Sequence, residues 1–363
     1  MSDISKRWFY SEKEKYSPDL IDNFTWRDED KLMPIAVKTR KTKGKDIPST
    51  MIYNHYNESY PDPEVILGAF KLEYLTGETP NGKLRIYNLY DMHQIMYQDE
   101  ESHMFVSDWI IEILFNSDVF IDVFLEHTVP SKGINLERMW EGYYDQGEMT
   151  KTIDKLEDCM FYRKYCPTPN IRVHGIDIRD RKTNVEKFKH ILENVSTIRI
   201  NDSTVQQFRE FVDELLNSNI IKKQLIDTPE CIKNKALEMS KIKFDNSIQD
   251  LKEYTITQIL DEPNIYFSWT IGSVLIDIYL LGRLFRKFNI DSDKYMPENI
   301  QNAIIYTGGN HAKFYSEVLQ ACGFELKYSV GSLKLMEGGI SANDSIKLRE
   351  LNISDLNYPL FRD

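Results

Sequence analysis

The stretch Ile304-Ile305-Tyr306-Thr307-Gly308-Gly309-Asn310-His311-Ala312 decides the fold. It reads as a buried strand that stops on two glycines and presents a histidine where a helix begins, and Gly323 closes that helix. Glycine lets the backbone turn sharply and approach its neighbours closely. In open parallel sheets, the side chains that do chemistry gather at the carboxyl ends of strands. His311 is delivered to such a place.

Three other segments end in the same manner. Lys83 to Asp91 alternates apolar and polar residues and runs into Asp91 and His93, followed by a helical pattern over Met104–Phe115 with Val106, Trp109, Ile110, Ile113 and Leu114 on one face. Val119 to Leu125 is a second strand-like run, ending on Glu126 and His127. Ile171 to Asp180 gathers charge at its end, with His174, Asp177 and Arg179. The chain has seven histidines, and four of them, His93, His127, His174 and His311, lie in or just beyond these strands. Such alternation of strands and helices predicts an α/β fold, a mainly parallel sheet flanked by helices, with a large helical insertion and an irregular N-terminal extension.

In such a sheet His93, Glu126, Asp177 and His311 can meet in one crevice although they span more than 200 positions. Strand parity sets His127 opposite to Glu126, and His174 opposite to Asp177. Two imidazoles and one or two carboxylates suit a borderline divalent metal such as Zn, Mn or Co, whose bound water is a nucleophile near neutral pH. The expected metal ligands are His93, Glu126 and His311, with Asp177 supplementary. Without metal, Glu126 can orient a histidine that acts as general base. Arg179 is placed to clamp a substrate carboxylate or to pair with an acidic side chain.

These motifs resemble the TraB/ChaN/Tiki/erythromycin-esterase-like superfamily, over roughly residues 83–330. Gly308-Gly309-Asn310-His311 is similar to its late Gly-x-x-His, Phe124-Leu125-Glu126 to its acidic strand, and Gly175-Ile176-Asp177 to its Gly-x-Asp, with Arg179 at the place of its arginine. The first motif departs, since Tyr90-Asp91-Met92-His93 has Tyr where the family has Gly or Glu. The resemblance implies a hydrolase of ester or amide bonds, metal-dependent or built on histidine and glutamate, with His93, Glu126, His311 and Arg179 catalytic. Its alternative is a catalytically degenerate member that serves as a structural or interaction protein, such as one from a large DNA virus.

Composition narrows the classes further. Hydrophobic content of 41% and aromatic content of 12% belong to a folded chain. The net charge is −12, yet residues 1–50 hold 11 Lys and Arg against 9 Asp and Glu, which leaves −14 on the rest and argues against nucleic acid as a partner. The only dense basic run, Lys38 to Lys45, lies in that extension, where a protein partner could bind. There is no Walker loop, dinucleotide fingerprint or Gly-x-Ser-x-Gly elbow. The four cysteines show no metal-binding spacing and no disulfide framework, and the N-terminus carries no apolar leader, so free thiols and a cytoplasmic location are expected, in the host cytoplasm or virion if the chain is viral. Ile265–Phe285 is long and apolar, but Asp277 and Arg283 interrupt it and favour a buried helix over a membrane span. Asp277 is expected to pair with Arg283 or with a neighbouring helix. The expected organisation is an extension over 1–80, an α/β core over 81–335 and a tail over 336–363, acting on a small-molecule or peptide substrate.

Overall fold

A computed structural model describes residues 36–42, 45–51, 64–92, 103–128, 147–161, 170–178, 182–288, 296–337, 349–356 and 360–361. The strands in chain order are β1 (Ala36–Thr42), β2 (Lys45–Met51), β3 (Val65–Leu67), β4 (Lys71–Thr79), β5 (Gly82–Asp91), β6 (His103–Phe105), β7 (Ile121–Thr128), β8 (Ile171–Asp177), β9 (Asn302–Gly308), β10 (Glu325–Gly331) and β11 (Glu350–Asn352). The helices are α1 (Val106–Asn116), α2 (Glu148–Phe161), α3 (Lys182–Glu193), α4 (Asp202–Leu216), α5 (Asn219–Gln224), α6 (Glu230–Leu251), α7 (Ile256–Asp261), α8 (Pro263–Phe267), α9 (Ser273–Leu284), α10 (Gly309–Ala321) and α11 (Lys334–Glu337).

The fold is α/β, built on a six-stranded sheet in the order β10-β4-β5-β9-β7-β8. Neighbours among β5, β9, β7 and β8 run parallel, while β4 and β10 add an antiparallel edge. The chain lays down β5, then β7 and β8, and only much later inserts β9 between β5 and β7. Because helices cover both faces of a parallel sheet, its central strand must be apolar on both. All seven residues of β9 are buried, with Ala303 and Ile305 facing one cluster and Ile304 and Tyr306 the other. Burying each large side chain contributes about 1.5–3 kcal/mol. Helices α1 and α2 supply the Ile304 side, and α3 through α10 supply the Ile305 side.

The expected core boundary at residue 81 falls inside a β-hairpin. Strand β4 pairs with β5 from Lys71↔Tyr90 to Thr79↔Gly82, so these residues of the expected extension belong to the main sheet. Residues beyond 335 are likewise packed onto the body: β11 pairs with β3, and Arg349, Ile353 and Phe361 are buried. Pro34, Pro48, Pro61 and Pro63 made the first segment read as irregular, and β11, at three residues, is too short to show a period.

The segment Pro263–Leu284 is one continuous helix whose middle, Ser268–Gly272, is a π turn. By length and composition it could cross a membrane, and 78% of its apolar window is buried inside the fold. Thr270 Oγ1 donates to the Tyr266 carbonyl at 2.8 Å and Ser273 Oγ to the Thr270 carbonyl at 2.9 Å, which satisfies acceptors loosened by the wider turn.

The expectation of four free thiols is corrected. Cys231, in the first turn of α6, is bonded to Cys322 at the end of α10, with Cα atoms 5.8 Å apart across 91 residues, and Cys159 is also disulfide-bonded. Pairing over such a separation is set by how helices pack, and linear spacing carries no trace of it. Free thiols therefore no longer point to a reducing compartment.

Candidate active site

Because β5, β7, β8 and β9 are parallel, their carboxyl ends share one edge of the sheet. Glu126 lies near the end of β7 with the parity of Phe124, on the face covered by α6, α9 and α10. Its Oε2 accepts the Gly308 N–H at 2.8 Å. The positive end of α10 begins there, and a carboxylate is stabilised beside it. Gly309 is required at this junction, since a Cβ would stand 2.5 Å from Phe70 Cζ, and Phe70 is fully buried.

His311 occupies the first turn of α10 and is 7% exposed. Its Nδ1 lies 2.6 Å from Asp277 Oδ1, and its Nε2 lies 3.7 Å from Glu126 Oε1. An ionised carboxylate can only accept, so Nδ1 carries the hydrogen and donates to Asp277. At 3.7 Å, Nε2 stands too far from Glu126 for a direct hydrogen bond. Asp277 is fully buried in α9, and its second oxygen, Oδ2, is 2.5 Å from Lys243 Nζ of α6. The four side chains form a line, Lys243–Asp277–His311–Glu126, from three helices and one strand. Beside them on β9, Thr307 has the parity that faces the same helices, and its buried Oγ1 has no hydrogen-bond partner among the described residues.

Asp277 and Lys243 are the residues that the sequence reading did not place in the site. A lone aspartate in an apolar helix must find a partner, and that signal was visible. The partners are on neighbouring helices, and Arg283 turns instead to His174. Lys243 sits on a helix that is polar over much of its length and gave no signal at all.

Other expected residues stand elsewhere. His93 and Arg179 lie outside the described residues. Asp177 is buried at the end of β8, and its parity is that of Ile171 and Val173, so it points to the opposite face from Glu126 and His311. Asp91 also faces that side, where it accepts the Tyr306 hydroxyl at 2.8 Å. That contact and burial hold the Tyr306 phenol well above its ordinary pKa, burial being the larger cause. Tyr90, where the family motif has Gly or Glu, donates to Glu73 Oε2 at 2.7 Å, and Glu73 pairs with Lys71 at 2.5 Å. Burial first, then Glu73, raises the Tyr90 phenol far out of the titrating range.

A second buried imidazole provides a contrast. His174 Nε2 is 2.8 Å from Asp122 Oδ1, its Nδ1 is 3.1 Å from Arg283 Nη2, and its ring stacks on Phe124. Arg283 can only donate, so Nδ1 accepts and Nε2–H donates to Asp122. Asp122 also receives Arg172 Nε at 2.6 Å and Nη2 at 3.2 Å. Desolvation, assisted by the two arginines and opposed by Asp122, lowers the His174 pKa to about 4. Both nitrogens are committed, so this imidazole is an architectural part.

Among the described residues, no group of three or more His, Cys, Asp or Glu side chains gathers closely enough to hold a metal ion. A scan against protein-family models, a search of curated proteins and a search of solved structures each returned no match. A carboxylate fixes one imidazole nitrogen, and the other faces a second carboxylate beyond direct hydrogen-bond distance. That arrangement suits general-base activation of water.

Proposed function

We propose that this chain is a hydrolase of ester or amide bonds whose base is His311, acting on a small-molecule or peptide substrate at the carboxyl edge of the sheet. The observation that supports it most is that Nδ1 of His311 is fixed by a fully buried Asp277 while Nε2 faces Glu126. In this reading a water held between Nε2 and Glu126 attacks the carbonyl carbon, and Nε2 takes its proton. The new carbon–oxygen bond forms, the bond to the leaving oxygen or nitrogen breaks, and the imidazolium returns the proton to that leaving atom. Asp277 keeps the tautomer and balances the transient charge. Glu126 and His311 are two candidate metal ligands, and a catalytic zinc takes three from the protein. In the metal-dependent form of the same proposal, His93 would be the third ligand.

A second reading is a catalytically degenerate member of the family that the motifs resemble, acting as a structural or interaction protein. Tyr90 supports it, because the position that departs from the motif is tied into Glu73 and Lys71. One experiment separates the readings. Activated aryl esters and peptide anilides are offered to the wild type, His311→Ala and Glu126→Gln, with and without chelator, and metal content is measured on the same samples. The hydrolase reading expects turnover that falls at least about 100-fold in both variants. Chelator sensitivity would select the metal-dependent form. A wild type with no turnover and no metal supports the second reading and rejects the first.

A further inference from the structure

We infer that Lys243 is a positioning residue of this site, acting through Asp277 to hold His311 as the Nδ1–H tautomer; the inference rests on the hydrolytic reading. Three observations carry it. The two oxygens of Asp277 are divided, Oδ1 to His311 at 2.6 Å and Oδ2 to Lys243 at 2.5 Å. Asp277 is fully buried, and the Lys243 side chain is 20% exposed. The Lys243 ammonium also lies 5.5 Å from the ring centre of Phe314, one turn along α10 from His311.

A buried carboxylate is costly unless each oxygen has a donor, so with Oδ2 unpaired the group would turn to seek another partner. Once Oδ1 turned away, Nδ1–H would lose its acceptor and the ring hydrogen could settle on Nε2, the nitrogen that faces Glu126. Lys243 blocks that rotation. Its claim on Oδ2 leaves Oδ1 turned to the imidazole. The stem crosses from a partly exposed position on α6 into the interior, so the charge reaches Asp277 while its desolvation stays partial. An exposed ion pair would contribute little. This one is directed at the residue that fixes the base.

The test uses the full chain. Lys243→Met is expected to lower kcat about 10–100-fold with KM within about 2-fold, and Lys243→Arg to restore kcat to within about 3-fold of wild type. In an Asp277→Asn background, Lys243→Met should change kcat less than about 2-fold, because the residue it acts through is already altered. The double variant also removes the unpaired carboxylate, so it keeps the test valid should the single variant fold poorly. Nitrogen-15 spectra of the imidazoles, with His311 assigned through His311→Gln, read the tautomer independently of turnover. Wild type should show the Nδ1–H form, and Lys243→Met a shift toward Nε2–H. If the tautomer and kcat are unchanged in Lys243→Met, or if the effects in the two backgrounds simply add, the inference is overturned. A wild type without turnover but with the tautomer shift removes the hydrolase reading and leaves the Lys243–Asp277–His311 linkage in place.

Discussion

Asp122 and Arg283 take both ring nitrogens of His174, whereas His311 has one nitrogen on Asp277 and the other directed at Glu126 beyond hydrogen-bond distance. The committed ring has a measurable consequence. Its pKa falls from the ordinary 6.5 to about 4 in the folded state, so between those values the unfolded chain binds more protons than the folded one. Stability from this group is complete above about pH 6.5 and is lost as pH falls toward 4, a decline of roughly 3 kcal/mol. Glutamine offers a donor to Asp122 and an acceptor to Arg283 but does not titrate. Urea denaturation of His174→Gln across that range should show a flatter profile than wild type, and two parallel profiles would refute the assignment. The sequence marked His174 as standing on the other parity from Asp177, which is how they sit. Which histidine would keep a free nitrogen was not legible, because Arg283 and Asp277 reach the two rings from a helix more than 90 residues beyond His174 in the chain.

At the level of elements, the strands and helices that surround the site were legible because they repeat simple periods. The helix expected over Met104–Phe115 forms as Val106–Asn116, and the strand read from Ile304 onward forms as Asn302–Gly308. Ends were less legible. Ser203-x-x-Gln206 reads as a capping box, yet α4 is capped by Asn201, whose side chain accepts the Thr204 N–H at 2.9 Å. The reciprocal box belongs to Thr255 and Gln258 at α7. Both sequences carry the right residue types, and the path of the incoming chain decides which is used. The β9–α10 junction offers a sharper check. Phe70, packed edge-on against Tyr90 at 5.8 Å between ring centres, has little room to retreat from a new methyl group at position 309. Gly309→Ala should cost about 1–3 kcal/mol and displace His311, with turnover falling alongside the thermal midpoint. A variant with wild-type stability would show that the junction adapts and that the glycine is incidental there.

The molecule as a whole depends on contacts that close late in the chain. Strand β9 fills the gap between β5 and β7 only after more than 200 residues separate it from β5, and long-range pairing of this kind is slow to form. The Cys231–Cys322 bond spans the part of the chain that contributes α6 through α10. Closing a loop of 91 residues restricts the unfolded state by roughly 4–5 kcal/mol in the chain-entropy account. Cys231→Ser together with Cys322→Ser should lower stability by about 2–5 kcal/mol, read by denaturant titration under non-reducing conditions. Equal midpoints for the two proteins would mean that the helices hold their places unaided. The parallel sheet could be read from its strands and helices alone, whereas the covalent tie could not, since both of its ends lie on helices whose packing no local pattern encodes.

That tie has a topological consequence. Lys243, Asp277 and His311 all lie between Cys231 and Cys322, so three of the four side chains in the line belong to one covalent ring. A single protease cut within that ring opens it without releasing a fragment, and each of the three residues remains attached to the same molecule as Glu126. A nicked protein would therefore migrate as one species until reductant is added, and only then separate into two.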